Sequence, residues 1–188
     1  MKFRIILTTL VCCLLSVSLK AQTVPLPEYN EVVMFLKSDN TLVALDKSDV
    51  VTESKENLMR RILVYMKVLG SSAKVSHSGS PQNKFVVNVQ PGIDPDNIVE
   101  LFKFDEVKKH RKIQIASISG GWGGTHDIEL PKQRLIFKKV QPGSYIISPE
   151  SQLEAGEYLF LVNRPNISEL GAGGKAIKGY CFSVKSKE

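Results

Sequence analysis

The chain has 188 residues, 43% of them hydrophobic and 23% charged, with 25 basic against 19 acidic side chains and a formal net charge of +6. That length is enough for one sizeable core without covalent staples. No dense Lys/Arg stripe interleaved with aromatics occurs, so nucleic acid is excluded as the expected partner.

The first element in chain order is a leader. Lys2 and Arg4 precede an apolar run from Ile5 to Leu19, and Ala21 follows it. A basic start, a short apolar core and a small residue at the cut form the pattern of a cleaved secretory signal, here over residues 1–21. A retained anchor helix and a lipoprotein signal are the competitors. The run falls short of the roughly 20 apolar residues of a membrane span, and Val11 is a poor residue before a lipid-modified Cys12. Cleavage would remove Lys2, Arg4 and Lys20 and no acid, so half of the +6 charge belongs to the signal. It would also remove Cys12 and Cys13, leaving Cys181 without a disulfide partner in the chain. The expectation is an exported protein, periplasmic or extracellular and at most peripheral to the membrane. It would have a loose leader over 22–26 and a single domain over 27–188.

Short β-rich runs follow. Residues 31–37 (EVVMFLK) and 41–47 (TLVALDK), joined by Ser38-Asp39-Asn40, read as a hairpin. Residues 54–72 are ambiguous. Leu58, Ile62, Met66 and Leu69 have helical spacing, whereas Ile62, Val64, Met66 and Val68 share one face of a strand. The β-branched content favours a strand from about Arg61. Residues 83–89 read as a strand before the breakers Pro91-Gly92, and Asp94-Pro95-Asp96 as a turn rather than a calcium loop. Residues 97–104 and 111–119 alternate with a period of two and read as a hairpin, with the basic run 108–112 as its solvated turn. Strands are also expected at 125–130, 133–140, 144–149, 154–163 and 178–185. Tyr158, Phe160, Tyr180 and Phe182 fall on core-facing parities, while Glu154 and Glu157 read as solvated carboxylates flanking a turn.

Eight to ten short strands without a long helix predict an all-β fold, an antiparallel β-sandwich or barrel, of which the sandwich is the leading expectation. The C-terminal half adds a resemblance. Gly143, Ser144, Tyr145, Ile147 and Pro149, then Leu153, Gly156, Glu157 and Tyr158, then Tyr180, Cys181 and Phe182 resemble a pattern of uncharacterised exported bacterial β-sandwich domains. The resemblance implies an immunoglobulin-like sandwich and no activity.

Catalytic and cofactor chemistry is not expected. The glycines at 120–124 and 171–174 lack the spacing and flanks of a phosphate loop and read as connections between strands. His77, His110 and His126 lie far apart and suggest no metal site. No serine or cysteine has an identifiable histidine partner. The candidate contact residues are Trp122, the sole tryptophan, with His126 and Tyr145. Tryptophan is enriched at binding hot spots, and a flat aromatic suits a sugar ring or a protein surface. The leading expectation is a non-enzymatic binding module that contacts an unidentified protein or glycan through its end loops. A structural subunit of an envelope assembly is the alternative, and a hydrolase ranks third.

Overall fold

A computed structural model describes residues 24–57, 61–78, 83–107, 109–119, 125–127, 130–164 and 176–186. Among these residues fourteen strands follow in chain order: β1 (Val33–Leu36), β2 (Leu42–Ala44), β3 (Asp46–Glu56), β4 (Arg61–Leu69), β5 (Ser76–Ser78), β6 (Lys84–Asn88), β7 (Val99–Val107), β8 (His110–Ser119), β9 (Thr125–Asp127), β10 (Lys132–Gln133), β11 (Leu135–Gln141), β12 (Ser144–Pro149), β13 (Gly156–Val162) and β14 (Ile177–Lys185). Among the described residues the only helical element is a 3-10 turn at Pro95–Asn97, capped by Asp94, whose carboxylate accepts from the Asp96 N–H. The ambiguous segment from Arg61 is a strand. β3 extends through the polar stretch to Glu56, which had no expected strand.

The expected sandwich is overturned, and the immunoglobulin-like form implied by the resemblance falls with it. Strands β7, β13, β14, β3, β4 and β8 are hydrogen-bonded neighbours in that order, and β8 returns to β7, closing a six-stranded antiparallel barrel. The closing seam is short: Asp105 opposite Lys112, Glu106 opposite Arg111 and Val107 opposite His110. Beyond the seam the two strands part, and β10 pairs with β7 while β9 pairs with β8. A second sheet of five strands, in the order β11-β12-β6-β1-β2, covers one side of the barrel. Among the described residues all strand pairings are antiparallel except β5 with β14, which is parallel.

The physical reason for the barrel lies in β13 and β14, which bury both faces. Period-two alternation sends Leu159 and Leu161 of β13, with Cys181 of β14, into the barrel beside Met66, Phe102 and Ile115. Tyr158, Phe160, Tyr180 and Phe182 point the other way, against Val33, Phe85 and Ile147 of the five-stranded sheet. The Phe85 and Phe160 rings meet edge-on with centroids 4.8 Å apart, and Tyr158 stacks on Phe182 at 5.4 Å. In a simple sandwich each strand needs one apolar face, so strands apolar on both parities fit a closed ring covered by another layer.

Two glycines are dictated by space. Gly143, in the β11–β12 turn, has φ +79°, and a Cβ there would stand 2.6 Å from the Val89 carbonyl oxygen. Gly179 lets β14 pass over Leu159, Leu161 and Val50, where a Cβ would intrude on all three side chains.

Candidate functional site at the closed end of the barrel

The apolar filling of the barrel ends, at the seam, in a buried ion pair. Glu157 shares a face with Leu159 and Leu161, Arg111 with Ile113, and Ser183 with Cys181, so the pleat turns all three polar side chains inward at one level. Arg111 is 1% exposed and Glu157 4%. The Arg111 guanidinium Nη1 donates to Glu157 Oε2 at 2.9 Å. Its Nε donates to the Gly70 carbonyl at 3.2 Å, and its Nη2 lies 3.5 Å from the Leu69 carbonyl. The Ala73 N–H donates to the same Oε2 at 2.8 Å. Ser183 Oγ donates to Glu157 Oε1, directly across the β13–β14 ladder. One carboxylate thus ties together β8, β13, β14 and the segment between β4 and β5.

That segment is shaped for the task. Gly70 turns it with φ +88° and donates its N–H to the Lys109 carbonyl at 3.0 Å. Further on, the Ser183 N–H donates to the Val75 carbonyl at 2.9 Å, seating the segment on β14. Above the ion pair lies a cleft of about 580 Å³. Its floor is Ala73, Glu157 and Ser183, and its rim carries the exposed side chains of Ser72, Lys74, Ser76, Glu106 and Lys185.

A second cleft, of about 440 Å³, lies between the barrel and the five-stranded sheet. Glu100, Lys132, Arg134 and Glu150 of its lining are engaged in ion pairs. Glu100 accepts from Arg164 Nε at 2.5 Å and from Lys132 Nζ, and Arg134 faces Glu150 at 3.8 Å. Burial would raise the Glu100 carboxyl, but Arg164 and Lys132 hold it below its ordinary value. These pairs fasten β10 and the end of β13 to β7.

Two further groups carry chemistry of their own. Burial within the barrel pushes the Cys181 thiol up to about 11, so the thiolate is scarce at neutral pH. His77 stacks on Phe35 with ring centroids 3.7 Å apart, and its Nε2 is buried without a hydrogen-bond partner. Burial, with Lys37 nearby, lowers its affinity for a proton.

Of the residues singled out from the sequence, His126 and Tyr145 fall among the described residues. Trp122 lies outside the described residues. His126 is on β9 opposite Ser117, on the barrel sheet. Tyr145 is on β12 of the other sheet, half-buried, facing the core between the layers rather than an end loop. Conversely, Arg111 was expected in a solvated turn and Glu157 on a solvated surface, and both are buried against each other. Parity was the available signal: each continues the inward face of its own strand. Among the described residues no group of three or more metal-ligating side chains occurs. No family model, curated protein or solved structure matches the chain.

Proposed function

We propose that the chain is an exported, non-enzymatic binding module whose ligand seat is the cleft at the closed end of the barrel. The observation that carries this reading is the buried Arg111–Glu157 pair, fixed by its own hydrogen bonds beneath an open polar cleft. Binding groups locked by their own hydrogen bonds lose little freedom when a ligand arrives. A carboxylate offers about four acceptor sites. Glu157 uses Oε2 for Ala73 and Arg111 and Oε1 for Ser183, which leaves Oε1 able to take one more donor. Ser183 Oγ keeps its acceptor capacity, and Lys74 and Lys185 supply positive charge at the rim. Hydroxyl groups below and a carboxylate above describe an acidic saccharide.

The test uses the protein without residues 1–21, titrated with an oligogalacturonate and with a neutral oligogalactose. The reading expects a rise in melting temperature with the acidic sugar alone, and its loss in the Lys74→Ala/Lys185→Ala double variant. Equal response to both sugars, or none to either, overturns the ligand class. Cleavage of the oligosaccharide during incubation overturns the non-enzymatic reading. Mass spectrometry of the exported protein tests the leader: a first residue other than Gln22 refutes the expected cut.

A further inference from the structure

We propose that the open edge of β11 is a docking strand for an extended, acidic segment of another protein. Strand β11 ends the five-stranded sheet, and among the described residues its only partner strand is β12. Its remaining edge therefore offers backbone N–H and C=O groups to an incoming strand, the mode of recognition known as strand addition.

Side chains decide what that strand should carry. Leu135 and Phe137 turn inward to the core between the layers. Ile136 and Lys138 turn outward, opposite Ser148 and Ile146 of β12. Ile136 is 54% exposed. In register with Lys138, the same face continues through Ile146, the fully buried Val86 and Met34, one row across β12, β6 and β1. An added strand would thus find an apolar contact at Ile136, with the exposed side chains of Lys138 and Lys139 beside it. The bulge between Lys139 and Gln141 breaks the register and sets the limit of the docking stretch.

Charge selects the occupant. A second copy paired through the same edge would gather Arg134, Lys138 and Lys139 of both strands along one ladder, with no acidic residue from Lys132 to Gln141 to offset them, and like charges across a ladder destabilise it. The same lysines favour a partner strand bearing glutamate or aspartate between apolar residues. This surface belongs to the five-stranded sheet, whereas the saccharide cleft lies at the end of the barrel, so either assignment can fail alone.

The probe is an eight-residue peptide of serine and threonine carrying valine and glutamate two positions apart, so that one face meets both Ile136 and Lys138, compared with the same peptide bearing lysine for glutamate, each titrated into the isotopically labelled protein. Saturable binding of the glutamate peptide alone is expected, with β11 amides from Leu135 to Lys139 gaining protection from exchange. Surface ion pairs contribute little each, so Lys138→Glu/Lys139→Glu should weaken binding about fivefold or more. Ile136→Ser should weaken it without altering the salt dependence. Both substitutions lie on the surface, and an unchanged melting temperature confirms that the variants fold. Absence of saturable binding, equal binding of both peptides, indifference to the charge reversal, self-association through β11, or capture by anionic vesicles in place of the peptide would each overturn the proposal.

Discussion

Replacing Glu157 by leucine is expected to destabilise the fold by about 3–5 kcal/mol, the usual cost of stranding one member of a buried ion pair. The magnitude follows from what the carboxylate holds. Arg111 is 1% exposed, so without Glu157 its charge has only the Gly70 carbonyl at 3.2 Å and the more distant Leu69 carbonyl for support. The Ala73 N–H and the Ser183 hydroxyl lose their acceptor as well, and each unsatisfied buried group adds a cost of about 1–3 kcal/mol where water cannot reach it. Against a typical domain stability of about 5–15 kcal/mol, this is a large share. The double variant Arg111→Met/Glu157→Leu should recover most of the loss, because exchanging both charges for apolar groups is commonly neutral or stabilising. Urea unfolding of wild type, both single variants and the double variant gives the coupling energy directly. A single-variant loss below about 1 kcal/mol, or a double variant as unstable as the sum of the singles, would refute a buried and mutually compensating pair.

Four further outcomes are expected. Phe160→Ala should cost about 3–5 kcal/mol in urea unfolding, since the ring is fully buried between the layers and contacts Phe85. Gly179→Ala should cost about 1–3 kcal/mol by overpacking against Leu159 and Val50, and a neutral result would mean that β14 can move away from β13. Cys181 should resist thiol reagents at pH 8 until the protein unfolds. Its thiol is raised from 9.0 to about 11, so the stability it contributes is complete below pH 9 and is lost as the pH climbs through 11; Cys181→Ala should lessen that alkaline loss. His77 is lowered from 6.5, so its contribution is present above pH 6.5 and is lost as acid titrates it at its lower folded value; His77→Phe should flatten the acid limb of the stability profile, and an unchanged limb would show that the imidazole protonates in place.

The strands were legible wherever apolar and polar residues alternate, as at 111–119, and wherever turn residues bracket them, as around Pro142-Gly143. Phe160 and Phe182 were assigned to the core between layers, and they lie there. Strand β3 beyond Lys47 was not legible, because apart from the buried Val50 its residues are largely polar or exposed, and its backbone pairs with β14 and β4. The barrel was hidden for the opposite reason. In β13 both parities are apolar, so periodicity marks the strand as buried without naming the partner of each face. The closure itself rests on three residue pairs between β7 and β8, and no local pattern encodes it. The polar pair was obscured by composition: a lysine-rich run masked Arg111, and a turn masked Glu157, although each lies in step with the apolar residues that follow it.

The place of β14 has a consequence for when this chain can acquire its structure. It is wedged between β13 and β3, and its pairing of Lys178 with Asp49 bridges 129 residues of sequence. The last described strand is thus an interior stave of the ring. Before it emerges, β3 and β13 have no common neighbour and both hydrophobic layers stand open. A chain made and threaded from its N-terminus therefore gains no stable partial product. Loss of residues from Ile177 onward should give an unfolded polypeptide rather than a smaller domain. For a protein proposed to leave the cytoplasm, that delay is useful: the chain stays threadable until β14 has passed through.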